Sequence, residues 1–230
     1  MPSLTDSAIF ISSMTCSEEN VDQHYYQSFT AMNKTLRDLY FIRGLIGAWL
    51  EAGRAHPSVE EAGRAAAIGY CYGGMVMFEI VRAGLDVDAV ISFHGGYQTK
   101  PIYIPGCGLG DPETFDSSMR TPPNTYASSS KVRVLVENGD GDHFKEWYPE
   151  AIPLWKEEMD AVNIDWVWHD YARTPHGFAL APDICTEYTE AADRRSTLAM
   201  WAMLREVWPD VKQKRISLNA CGTPIYPYEA

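Results

Sequence analysis

Four short apolar runs, spaced so that helices or long connections fit between them, constrain this chain more than any other feature. They are Ala65 to Ile68, "DAVISF" from Asp88 to Phe93, "KVRVLVE" from Lys131 to Glu137, and "IDWVWHDY" from Ile164 to Tyr171. Helical periodicity fills Gly74 to Ala83, closed by Gly84, and about Pro149 to Val162. A last helix is expected over about Glu187 to Val207, ending before Pro209. Strands separated by helices of this length are crossover units of a parallel sheet. Right-handed crossovers put the helices on both faces. The expected fold class is therefore α/β, a three-layer sandwich around a mostly parallel sheet.

The rest of the chain is read around that frame. Residues 1–55 form a front segment of mainly helical pattern: Val21, Tyr25, Phe29, Met32, Leu36 and Leu39 recur every three or four residues. Ile42, Leu45, Ile46 and Trp49 continue the stripe. Gly53 and "HPSV" stop it. Tyr97 to Ser130 is rich in Pro, Gly and Ser and exceeds the usual connection of ~12–15 residues. It leaves a strand at the end where ligands bind in such sheets, so a substrate lid is one reading and an unstructured insertion the other. The tail, 209–230, lacks periodicity and is expected along the surface. No repeat or composition shift divides the 230 residues, so one domain, 1–230, is expected.

Charge and cysteine usage narrow the function classes. A formal charge of −12 argues against nucleic-acid and anionic-membrane surfaces, which need clustered Lys and Arg. The five cysteines, at 16, 71, 107, 185 and 221, include no C-x-x-C pair and fit neither a disulfide framework nor zinc ligands. "MPSLTDSAIFISSM" has no basic start, its apolar part is short for a signal peptide, and no run is long enough to span a bilayer. A cytoplasmic protein with no membrane partner is the expectation.

The chemistry concentrates where the first apolar run ends. Gly69-Tyr70-Cys71-Tyr72-Gly73 is a G-x-C-x-G arrangement between a strand and a helix, the context of a nucleophile elbow. In so tight a turn only glycines fit two positions before and after the tip, and the tip side chain stands free. The following helix N-terminus offers N–H groups and partial positive charge to an anion there. The Tyr72 N–H points to where an oxyanion forms. A buried, inert thiol is the bland alternative.

A cysteine nucleophile needs a base, and the base an orienting acid. Of six histidines, His24 and His56 read as solvated, and His169 lies within the last strand. His143 directly follows Asp142. His94 follows the second run and either approaches the site or fills space. His176, in "ARTPHGFAL", falls in the loop after the last strand and is the best-placed base. In "VENGDGDHF" Asp140 and Asp142 compete as the acid, with Asp142 favoured because the turn from Gly139 aims it toward a neighbouring loop.

"GYCYGG", "NGDGD" and "PHGF", in this order, resemble the nucleophile, acid and histidine motifs of the dienelactone hydrolase family, and "SFHGG" and "EAADRRS" add to the likeness. The match runs from about Leu36 to Trp208. The resemblance implies an α/β-hydrolase fold, a Cys71–Asp142–His176 triad, no metal and no cofactor. It also implies cleavage of a small-molecule ester or lactone through a thioacyl-enzyme.

Two departures qualify the likeness. Family members carry further strands ahead of the nucleophile, whereas only 70 residues precede Cys71 and most look helical. "SAIFISSM" is a candidate remnant of one such strand. The missing part supplies the family's second oxyanion donor and a glutamate near the resting cysteine, and no acidic residue here sits in a matching motif. Without those strands the nucleophile strand is expected at an exposed sheet edge, open to pairing in a homo-oligomer. A catalytically inactive relative that binds a ligand or partner is the alternative. The second departure is Leu180, which stands where the family places a substrate-binding arginine, four positions after the histidine; Arg173 and Arg120 are the available substitutes.

Overall fold

The computed structural model describes residues 8–10, 39–56, 59, 64–96, 131–147, 149–180, 187–210, 217–218 and 224–225. Five strands form one sheet in chain order: β1 (Ala8–Phe10), β2 (Ala66–Tyr70), β3 (Ala89–Phe93), β4 (Arg133–Gly139) and β5 (Asp165–Tyr171). All four pairings are parallel. The helices are α1 (Leu39–Arg54), α2 (Tyr72–Arg82), the single turn α3 (Phe144–Trp147), α4 (Ala151–Ala161) and α5 (Glu190–Val207).

Alternation along the strands makes two apolar faces. On one, Ala67, Val90, Val134 and Val136 pack beneath α1, α2 and α4. On the other, Ala66, Ile91, Phe93 and Leu135 meet Met200, Met203 and Leu204 of α5. The three-layer α/β sandwich expected from the sequence is the observed architecture. In α1 the buried positions are Ile42, Ile46 and Leu50, spaced by four residues, while Trp49 is exposed. The stripe read from the sequence is thus turned away from Trp49. Trp155 of α4 is fully buried, with its ring 5.2 Å from Phe78 and 5.7 Å and 5.5 Å from Trp166 and Trp168.

The α-helical layer on the first face is also stapled by charge. Arg82 of α2 lies 2.7 Å from Glu79 and 2.7 Å from Glu158 of α4, and Arg43 of α1 donates to Glu79 at 2.8 Å. Arg82 is fully buried, so its guanidinium is tolerated there only because carboxylates meet it on both sides.

Several expectations change. The nucleophile-bearing strand β2 is not the sheet edge over its first three residues: Ala8 pairs Ala66, Ile9 pairs Ala67 and Phe10 pairs Ile68. Ala8–Phe10, within the "SAIFISSM" named as a candidate strand remnant, is a strand in a front segment otherwise read as mainly helical. The tail contributes a two-stranded antiparallel pair, β6 (Ser217–Leu218) with β7 (Pro224–Ile225). Residues 11–38 and the candidate lid, 97–130, lie outside the described residues. Among the described residues no helix is long and apolar enough to cross a membrane.

Candidate active site

Because all strands of the sheet run the same way, the loops that follow β2, β3, β4 and β5 gather at one edge. Each delivers a chemically capable side chain: Cys71, His94, Asp142 and His176.

Cys71 sits between β2 and α2 with φ 53° and ψ −118°, a conformation that side-chain-bearing residues rarely adopt. The turn is held by its own backbone: the Cys71 N–H donates to the Phe93 carbonyl at 3.0 Å, and the Met75 N–H to the Cys71 carbonyl at 3.1 Å. A Cβ on Gly69 would lie 2.3 Å from the Gly73 carbonyl oxygen, which is why glycine stands there. Tyr72 is the first residue of α2, so its N–H belongs to the turn whose amides point out of the helix toward the cysteine side.

The acid and base loops are tied to each other before any side chain is considered. The Asp140 N–H donates to the Tyr171 carbonyl at 2.9 Å and the Gly141 N–H to the Thr174 carbonyl at 3.0 Å. A Cβ on Gly139 would lie 2.2 Å from the Thr174 oxygen, so this approach also demands glycine. Between the competing aspartates, the structure places Asp142 beside the histidine. Its Oδ2 is 2.9 Å from His176 Nδ1, and its Oδ1 accepts from the Phe144 N–H at 2.9 Å. Asp140 instead meets Lys145 at 3.2 Å.

His176 Nε2 is 3.2 Å from Cys71 Sγ, which completes a chain of sulfur, imidazole and carboxylate. The imidazole side chain is 12% exposed and the carboxylate fully buried. Burial acts to lower the His176 pKa. The hydrogen bonds to Asp142 and Cys71, with their charges, outweigh it and hold the value at about 10. Cys71 itself is half-buried.

Three further rings surround the imidazole: His94 at 5.1 Å, His143 at 5.2 Å and Phe144 at 5.0 Å between centroids. Burial, and then the charge of His176, lower the pKa of both flanking histidines, His94 to about 3. The sequence left His94 between two readings and gave His143 no role. Their positions just after β3 and just after the acid were the available signals.

The remaining candidates fall elsewhere. His56 is exposed, and His24 and Arg120 lie outside the described residues. Leu180 is half-buried and Arg173 exposed. His169 is on the α5-facing side of β5, its Nδ1 3.1 Å from Glu137, and Tyr171 donates to the same carboxylate at 2.5 Å. Burial pushes the fully buried Glu137 up to about 7, with the Tyr171 and His169 contacts opposing it. The sequence offered no warning of this cluster, because Glu137 closes an apolar run as a strand-end charge ordinarily does. Among the described residues no group of three His, Cys, Asp or Glu side chains is arranged to hold a metal ion.

Residues 20–208 match the model of the dienelactone hydrolase family. No curated protein matches the chain. Among solved structures, one named m3DLH is 28% identical with a TM-score of 0.61, over 81% of this chain and 68% of that one. A dienelactone hydrolase-like promiscuous phosphotriesterase from metagenomic libraries is 23% identical, TM-score 0.51, over 83% and 67%. An acylaminoacyl peptidase of Pyrococcus horikoshii shares the fold at 16% identity and TM-score 0.52, over 71% of this chain and 27% of that one.

Proposed function

Because this chain belongs to the dienelactone hydrolase family, a family of α/β-hydrolase fold, we propose that it is a hydrolase that cleaves a small ester or lactone through Cys71, His176 and Asp142. The observation that carries the reading is the continuous contact from Sγ through the imidazole to a buried carboxylate, at 3.2 Å and 2.9 Å.

The chemistry runs in two halves. With its pKa at about 10, His176 holds a proton at neutral pH and faces the sulfur as an imidazolium. The Cys71 thiolate attacks the carbonyl carbon, a C–S bond forms, and the carbonyl π electrons move to oxygen. The Tyr72 N–H, at the α2 N-terminus, receives that oxyanion. As the tetrahedral species collapses, the C–O bond breaks and His176 Nε2 gives its proton to the departing alkoxide. A water then approaches the thioester, loses a proton to the now neutral His176, and displaces Cys71 as thiolate. Asp142, held by the Phe144 N–H, keeps Nδ1 protonated and the ring in plane throughout. Leu180 stands where the family places an arginine for a substrate carboxylate, so the family's dienelactone substrate is not carried over to this chain.

The test is p-nitrophenyl acetate hydrolysis by the whole chain and by Cys71→Ala. Turnover that disappears with the sulfur supports the mechanism. Undiminished turnover in the variant discards it and leaves a ligand- or partner-binding role for the elbow.

A further inference from the structure

We propose that His94 is a positioning residue for the base: a neutral polar ring that steadies the plane of His176 beside Cys71. The inference rests on the reading of His176 as the proton carrier of the site.

Four observations lead to it. First, His94 follows Phe93, whose carbonyl anchors the Cys71 N–H, and its own N–H donates to the Glu137 carbonyl at 2.8 Å. This bond holds the residue at φ 38°, left-handed backbone that a histidine adopts only when its surroundings impose it. Second, the ring is fully buried among Tyr70, His176 and Phe178, with centroids 6.0, 5.1 and 5.4 Å away. Third, neither ring nitrogen has a hydrogen-bond partner among the described residues. A phenyl ring of the same outline would fill this space without burying two unpaired nitrogens, so packing does not account for imidazole here. Fourth, the two imidazoles meet at 71°, edge toward face. A neutral ring in that contact places no second charge beside the base, whereas a second cation there would repel it.

The neutral state is secured by the site itself. Burial and the His176 charge keep His94 unprotonated through the neutral range. The other titratable groups that face the pair are Cys71 at the elbow, Tyr70 on β2, and Asp142 with His143 in the loop after β4. Of these, Asp142 and Cys71 raise His176, and His143 is itself lowered by it. His94 therefore neither competes for the proton nor opposes it.

The experiment compares the whole chain with His94→Phe and His94→Gln. Carboxymethylation of Cys71 by iodoacetamide is followed against pH by peptide mapping, alongside kcat and KM for p-nitrophenyl acetate and the melting temperature. A thiolate–imidazolium pair gives a plateau of alkylation rate between two pH limits. The expected result is that His94→Phe melts at or above the wild type, yet its plateau narrows from both sides. Its kcat falls roughly tenfold while KM stays within about twofold. His94→Gln, polar and neutral, recovers part of the plateau. A wild-type plateau and kcat in His94→Phe overturns the inference, as does a loss that follows a lowered melting temperature and is not recovered by glutamine. If the wild-type chain hydrolyses no ester but its plateau still narrows in His94→Phe, the hydrolase reading fails and the role of His94 stands.

Discussion

Glu137 offers a quantitative test of the electrostatics beneath the site. Its carboxyl is fully buried between His169 and Tyr171, and its pKa rises from 4.5 to about 7. Below pH 4.5 the group is protonated folded and unfolded, so it carries no penalty. Between 4.5 and about 7 the unfolded chain releases the proton first, and each rise in pH favours unfolding. Above about 7 both states are ionised and the penalty is complete. Integrated from pH 5 to pH 8, the shift removes about 2–3 kcal/mol of stability. Glu137→Gln keeps an acceptor for the Tyr171 hydroxyl and removes the titration. Urea unfolding at the two pH values should therefore show the wild type losing about 2–3 kcal/mol more than the variant, a midpoint difference of about 1 M. His176 titrates identically in both proteins and cancels. Equal pH dependence in the two chains would refute the reasoning.

Arg82→Ala should cost about 3 kcal/mol in the same unfolding assay, because it removes the buried cation that Glu79 and Glu158 share and leaves Glu79 to Arg43. Gly139→Ala should lower kcat more than it lowers the melting temperature suggests, because the added Cβ meets the Thr174 oxygen at 2.2 Å and forces the acid and base loops apart. The pH profile of kcat/KM should fall on its alkaline side near 10, where His176 loses its proton. The same proton stabilises the fold fully below pH 6.5, and that contribution fades as pH rises through about 10, which unfolding at pH 7 and pH 10 measures against His176→Asn.

What the sequence made legible was what local pattern and chain order encode. The four apolar runs became β2 to β5 because each is long enough to be a strand and too short to be a helix. The glycine spacing around Cys71 specified the turn, since Gly69 and Gly73 touch across it. What stayed hidden depends on contacts distant in sequence. The strand that "SAIFISSM" suggests is Ala8–Phe10, but its place beside Ala66–Ile68, which takes β2 off the sheet edge, is not written in the local pattern. The turn from Gly139 favours Asp142 over Asp140 in the sequence, but its contact with His176 Nδ1 at 2.9 Å is made between two loops far apart along the chain. The rings around His176 come from two separate loops, and only their meeting makes His94 more than a strand-end residue. Glu137 reads as a surface charge until β5 and Tyr171 close over it.

The account stands most directly on acyl transfer to sulfur. Wild-type protein mixed with p-nitrophenyl acetate and quenched in acid within the first turnover should yield, on peptide mapping, an acetyl thioester on Cys71. Nitrophenol release without any acyl group on Cys71 would contradict it.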